Sequence, residues 1–241
     1  MTGKYTIYPL HLGDIERQKG NMAYMRDPGK KVIFPLIAFY ATDGTHKIMV
    51  DTGGTAPDSR YQPHTRTPEQ EPVAVLSRLG VNPDEVTHVI LTHLHWDHAG
   101  NNQLFSNAKI YVQKSELQFA VAPLRIQSGA YDYDLIFKTR YEVVEGDTEN
   151  LLPGVSVIAT PGHSPGSQSV IVDTEKGKYL IPGDLIGLFE CYESDPMLVN
   201  GLHTDLEVYY RSLDRIKKLN CVGILPGHEI KIFDHAKYPY K

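Results

Sequence analysis

The chain has 241 residues, of which 41% are apolar and 22% charged, with a formal net charge of −5. A chain of this length can bury a sizeable core. Its acidic balance argues against nucleic acid or an anionic membrane as the main partner, since phosphate binding leans on clustered Lys and Arg. No apolar run approaches the roughly eighteen residues of a membrane-spanning helix, and the first residues lack the apolar core and cleavage site of a secretory signal.

Short runs rich in Val, Ile and Tyr predict strands at residues 4–11, 32–41, 47–50, 86–91, 109–112, 155–160, 167–172, 178–181 and 221–225. Asp43-Gly44 predicts a hairpin turn between the second and third of these. Helical patterns fall between the strands, at 72–79 and at 114–121 with Ser115 as a cap. The clearest covers 205–219, where Leu206, Tyr209, Tyr210, Leu213, Ile216 and Leu219 repeat at three and four. Its aromatic side chains are expected to pack in or near the core. No linker rich in Pro, Gly or Ser divides the chain, so residues 1–241 read as one α/β domain. Residues 16–31 and 123–140 lack clear periodicity and are expected to be substrate loops, with Met22 and Phe137 among the residues lining a pocket.

The two cysteines, Cys191 and Cys221, do not make a disulfide framework and predict a cytoplasmic location. Cys191 is expected to pack as a small residue rather than act as a nucleophile.

Residues 93–98 read His-Leu-His-Trp-Asp-His, directly after the apolar run 89–92. Four potential ligands in six residues are more than one tetrahedral ion usually takes from a single loop. If residues 93–97 run extended, His93, His95 and Asp97 share a face and His98 comes from the next turn. That arrangement suits two neighbouring ions. Imidazole and carboxylate favour zinc, iron, manganese or cobalt over copper(I).

Three further places share one design: an apolar strand, a Pro-Gly break, then a potential ligand. They are Pro161-Gly162-His163, Pro182-Gly183-Asp184 and Pro226-Gly227-His228. Proline ends the ladder because it has no N–H, and glycine tolerates positive φ in a sharp turn, so each ligand is lifted onto one edge of a sheet. Five histidines and two aspartates can fill two coordination shells if one carboxylate bridges. Of the other histidines, His46, His64, His88 and His235 are expected to be surface or structural. His11 and His203 are expected to be structural too, though they are the two that could reach the pocket rim.

Taken in this order, these motifs closely resemble those of the metallo-β-lactamase superfamily, and Asp51-Thr52-Gly53 is similar to its early Asp-Thr-Gly. The resemblance runs from about residue 35 to about residue 230. It implies an αβ/βα four-layer sandwich, two mixed sheets flanked by helices, with two divalent metal ions at one edge. It also implies that His93, His95 and His163 hold one ion, that Asp97, His98 and His228 hold the other, and that Asp184 bridges. Asp51 would orient the ligand loop without touching metal. Zinc is the expected metal, with iron, manganese or cobalt compatible.

Two dications about 3.5–4 Å apart can hold a water between them and lower its pKa towards 7. The expected reaction is therefore hydrolysis by a metal-bridging hydroxide, with Asp97 as the catalytic residue that ligates with one oxygen and moves a proton to the leaving group with the other. A metal-sensing module would need no such geometry. Within the superfamily the chain is most similar to the N-acyl-homoserine lactonase (quorum-quenching) group. β-Lactamases mostly carry Cys or Ser at the position of Asp184. Hydroxyacylglutathione hydrolases add a C-terminal helical region, flavin-linked diiron members replace a motif histidine with Glu, and tRNA-processing members add an arm and a basic surface. The lactonase group places a tyrosine three residues after the bridging aspartate. Gly187 stands there instead, and Tyr192 in the following loop is the candidate to reach in. The resemblance implies opening of a lactone such as an N-acyl-homoserine lactone, with a thioester, aryl ester or phosphotriester as the alternative. A small-molecule substrate is expected, with no nucleic acid and no membrane, and a homodimer is compatible with the sequence.

Overall fold

Residues 3–57 and 63–240 are described by a computed structural model. In the first sheet β1 (Thr6–Gln18), β2 (Lys31–Thr42), β3 (Lys47–Val50), β4 (His88–Ile90), β5 (Lys109–Gln113) and β6 (Tyr141–Val144) lie in chain order. The second sheet contains β7 (Thr148–Leu152), β8 (Val155–Ala159), β9 (Gln168–Thr174), β10 (Gly177–Ile181) and β11 (Gly223–Ile224), in the order β11-β10-β9-β8-β7. Both sheets are mixed. β3, β4, β5 and β6 pair in parallel, as do β10 and β11, and the other pairs are antiparallel. The helices are α1 (Pro72–Arg78), α2 (Trp96–Ala99), α3 (Lys114–Ala120), α4 (Tyr133–Lys138), α5 (Phe189–Glu193) and α6 (Leu206–Lys217).

Alternation along the strands sorts the side chains into layers. Ile37, Phe39, Ile48, Val50 and Ile90 of the first sheet pack with Val155, Val157, Val170, Val172 and Ile181 of the second. The intervening Ala38, Tyr40, Met49 and Val89 face outward and are covered by Val75 and Leu76 of α1 and Ala120 of α3. Across the molecule, Ile158 and Leu180 are covered by Tyr209, Leu213 and Ile216 of α6. Burying each large aliphatic side chain contributes about 1.5–3 kcal/mol, so the two inner faces fix the relative position of the sheets. The result is the four-layer sandwich, helix–sheet–sheet–helix, that the family resemblance implies.

Several boundaries differ from the sequence reading. Helix α6 starts where predicted, with the Asp205 side chain accepting from Val208 N at 3.0 Å. Helix α3 starts at Lys114 with Gln113 at its N-cap, so Ser115 lies inside the first turn and does not cap it. Strand β1 continues to Gln18, pairing Asp14 with Pro35 and Gln18 with Lys31 beyond an irregularity after His11. That irregularity, at Gly13 with φ 138°, hides the two-residue period. Strands β6 and β7 escape the pattern because they are short and polar, carrying Glu142, Glu149 and Asn150. Among the described residues no helix is long and apolar enough to cross a membrane.

Candidate metal centre

Strands β8, β10 and β11 point the same way, because β9 lies antiparallel between β8 and β10 while β10 and β11 are parallel. Their Pro-Gly breaks therefore open onto one edge. Gly162 and Gly183 have φ of 139° and 54°, conformations that favour glycine. A Cβ on Gly183 would also lie 2.6 Å from Thr92 Oγ1. Gly227 needs no positive φ. There a Cβ would come within 2.9 Å of Gly183 O and 3.1 Å of Asp184 Oδ1, so glycine lets the third break pack on the second.

The seven side chains converge. His93, His95 and His163 offer atoms within 4.8 Å of one another, as do His93, His98 and Asp184, and again Asp97, His98 and His228. Asp184 stands between the groups: its Oδ1 is 3.1 Å from His98 Nε2 and 3.0 Å from His228 Nε2, and its Oδ2 is 3.3 Å from His163 Nε2. The outer nitrogens are held by oxygens. His98 Nδ1 donates to Asp51 Oδ2 (2.8 Å), His228 Nδ1 to Pro35 O (2.9 Å) and His163 Nδ1 to Leu202 O (2.6 Å). Each Nε2 is thereby left facing inward. His95 instead turns Nδ1 inward, 3.1 Å from His163 Nε2.

Among the described residues, Nε2 of His93 is buried without a hydrogen-bond partner, and Nε2 of His98 and His228 and Oδ1 of Asp184, also buried, make no well-formed hydrogen bond although they crowd one another at 3.0–3.1 Å. Buried polar atoms left unpaired are costly, and imidazole and carboxylate are donors for divalent cations. The residues present fit two such ions.

Residues 93–97 do not run extended. Helix α2 begins at Trp96 with His95 at its N-cap, so Asp97 turns away from His93 and His95 towards the other group. Its Oδ2 lies 4.0 Å from His98 Nε2 and 3.9 Å from His228 Nε2. Trp96, between the two ligand groups, is buried against Leu36 and Ile15.

The electrostatics follow this arrangement. Burial, reinforced by neighbouring imidazoles, holds His93 and His95 well below the ordinary histidine value. Burial also pushes His98 down, but the carboxylates of Asp184, Asp51 and Asp97 outweigh it and raise it well above that value. For His228 Asp184 likewise overcomes burial. Burial would raise the Asp184 carboxyl, yet His228, His98 and His163 together hold it well below the usual carboxylate range. A charged carboxylate thus sits at the centre of five imidazoles.

Asp51, at the end of β3 with φ 60°, accepts from Thr92 N at 2.7 Å, Thr92 Oγ1 at 2.8 Å and His98 Nδ1. A second carboxylate, fully buried Glu116 of α3, was not anticipated. It accepts from Leu94 N (3.0 Å), Tyr131 Oη (3.2 Å), Ser164 Oγ (2.5 Å) and Gly166 N (3.2 Å). It therefore ties the loop of His93 and His95 to the loop of His163. In sequence Glu116 is one more acid in the first turn of a helix, and nothing marks it.

A cavity of about 220 Å³ opens over His95, Asp97, His163 and Asp184. Ile15, Arg17, Met22 and Trp96 line one part, and Ile126, Gln127, Ala130, Asn200 and Leu202 another. Met22 is placed where expected. Phe137 and Tyr192 do not line this cavity. On α4 the buried position is taken by Ile136, and successive helical residues point about 100° apart, which leaves Phe137 73% exposed. On α5 Cys191 faces inward and the adjacent Tyr192 outward. Burial pushes the Cys191 thiol up to about 12, which suits packing rather than nucleophilic attack. At Gly187, a Cβ would meet only Met22 Sδ, at 3.8 Å. His11 pairs with Asp14, and His203 with Asn200 O; neither lines the cavity.

The family profile of the metallo-beta-lactamase superfamily matches residues 36–228. The chain belongs to the metallo-beta-lactamase superfamily. Among curated relatives of this superfamily member, the N-acyl homoserine lactonase AiiA of Bacillus thuringiensis subsp. kurstaki is 32% identical over 222 residues, covering 85% of each chain. The N-acyl homoserine lactonase AttM of Rhizobium radiobacter is 28% identical over 195 residues, 73% of each chain. A solved N-acyl homoserine lactone hydrolase, with the product N-hexanoyl-L-homoserine bound at its catalytic metal centre, superposes with a TM-score of 0.82. That structure is 30% identical and covers 97% of this chain and 96% of its own.

Proposed function

We propose that this superfamily member is a dinuclear zinc hydrolase that opens a lactone, such as an N-acyl-homoserine lactone, to the hydroxy acid. The observation that carries the reading is Asp184: the two oxygens of one buried carboxylate face two separate histidine groups beside an open cavity. The lactonase names of relatives that align over most of the chain support the substrate class.

In this reading His93, His95 and His163 would hold one ion and Asp97, His98 and His228 the other, with Asp184 between them available to both. When bound, two dications lower the pKa of water towards 7 and polarise a carbonyl oxygen. The protein's own groups do the rest. Asp51 keeps the His98 proton on Nδ1, so that Nε2 faces the centre. Glu116 sets the distance between the two ligand loops. Asp97, partly exposed to the cavity, is the group placed to move a proton to the alkoxide that ring opening releases. Ile15, Met22 and Trp96 exclude water and receive an acyl chain, with Ile126 exposed at the rim. Of the segments 16–31 and 123–140, the end of β1 and the turn after it contribute Arg17 and Met22 to the substrate cavity, and the loop before α4 contributes Ile126, Gln127 and Ala130. We place the protein in the cytoplasm, consistent with two free cysteines, one of them buried. Its acidic balance favours a small-molecule partner over nucleic acid or an anionic membrane.

An assay panel of lactones, thioesters, aryl esters and phosphotriesters on zinc-loaded protein tests this. Lactone opening is expected with kcat/KM of at least about 10⁴ M⁻¹s⁻¹, the lower end of ordinary enzymes. Thioester turnover with no lactone opening would overturn the reading.

A further inference from the structure

Asn200 is 3% exposed and lines the cavity beside Asp184. The orientation of its amide is settled by its neighbours: Oδ1 accepts from Leu202 N at 2.9 Å, so Nδ2 must face the other way, 3.3 Å from Asp184 Oδ2. Its backbone is held as well, with the N–H donating to Tyr209 Oη at 3.1 Å and the carbonyl 2.9 Å from His203 Nδ1. Tyr209 Oη in turn lies 2.8 Å from Asp184 O. The amide is therefore rigidly placed relative to the bridging carboxylate.

An amide nitrogen carries two protons. One is directed at Asp184. The other side of Nδ2 meets Met22 Sδ at 3.8 Å, and a thioether is a weak acceptor. Gly187 brings no side chain to this side, and a Cβ built there would meet the same sulfur at 3.8 Å. Arg17 also lines this cavity, where burial lowers its guanidinium below the ordinary value and Asp97 opposes the shift. Asn200 is thus a fixed donor beside Asp184, with one proton lightly engaged.

We propose that Asn200 steadies Asp184 with one N–H and donates the other to the substrate's carbonyl oxygen as negative charge develops there. This rests on the hydrolase reading above. A carbonyl oxygen is a better acceptor than a thioether, and a donor aimed at developing charge binds the transition state more tightly than the ground state.

The test compares Asn200→Asp and Asn200→Ala with the wild type on zinc-loaded protein, using whichever members of the panel the wild type turns over. Asn200→Asp keeps the acceptor for Leu202 N and removes the N–H, whereas Asn200→Ala removes both. The expected result is a fall in kcat of about 10²-fold in both, with KM changed less than about threefold and metal content equal to wild type. Unchanged kcat in either variant would overturn the inference, as would loss of metal in step with activity, which would make Asn200 only a support for Asp184. If the wild type turns over esters but no lactone, the lactone reading fails while this comparison still decides the role of Asn200. No turnover of any member would overturn both.

Discussion

Replacing Asp51 with asparagine tests how the ligand shell is oriented. Asp51 Oδ1 accepts from Thr92 N at 2.7 Å, and Oδ2 accepts from Thr92 Oγ1 and His98 Nδ1, each at 2.8 Å. An asparagine with its oxygen towards Thr92 N presents amide protons to His98 Nδ1. Those protons can be accepted only if the imidazole proton moves to Nε2, the atom 3.1 Å from Asp184 Oδ1, and a protonated Nε2 cannot bind a cation. Turned over, the amide would set N–H against Thr92 N–H at 2.7 Å. Either way a charge-assisted hydrogen bond worth about 1.5–3 kcal/mol is lost. The backbone is not at fault, since asparagine tolerates the φ of 60° at this position as aspartate does. Outer partners of ligand histidines typically contribute 10–100-fold to metal affinity, which is about 1.4–2.7 kcal/mol. Asp51→Asn should therefore weaken one of the two ions by that factor in a chelator competition, with the other less affected. Two ions bound at wild-type affinity would refute the orienting role.

Asp97→Asn should cut turnover about 10²–10⁴-fold, the range of general acid–base catalysis, while part of the metal stays bound; near-normal kcat would remove its proton-transfer role. Glu116→Gln sets an amide where Oε2 now accepts from Ser164 Oγ and Gly166 N, and should cost about 1–3 kcal/mol of unfolding free energy. Burial raises the Glu116 carboxyl above its ordinary 4.5, so the folded state binds this proton more tightly than the unfolded one. Its contribution is full below about pH 4.5 and is lost as pH rises through the folded value. The deficit of Glu116→Gln, followed by denaturant unfolding across pH, should shrink on raising the pH; a growing deficit would contradict the burial argument.

The convergence of the seven candidate ligands is legible because their chemistry is local. An apolar strand, a Pro-Gly break and a candidate ligand occupy seven to nine adjacent residues, and the same device at 161–163, 182–184 and 226–228 needs no tertiary knowledge to be recognised. What was not legible is long-range or depends on helical phase. The bond from Leu94 N to Glu116 joins residues 22 apart, and that from Asn200 to Asp184 joins residues 16 apart. No periodicity announces either. The extended run that would set Asp97 beside His93 and His95 is broken by the start of α2 at Trp96, and Asp97 joins His98 and His228, as the family resemblance implies. Phe137 and Tyr192 failed because each is one residue out of phase with a buried neighbour, Ile136 and Cys191.

The central claim, a two-ion centre that performs hydrolysis, is tested most directly by titrating zinc into chelator-stripped protein while following both metal content and lactone opening. Two ions should bind per chain, with activity absent in the stripped protein and restored as the second equivalent is taken up. Full activity after stripping, or saturation at one ion per chain, would contradict it.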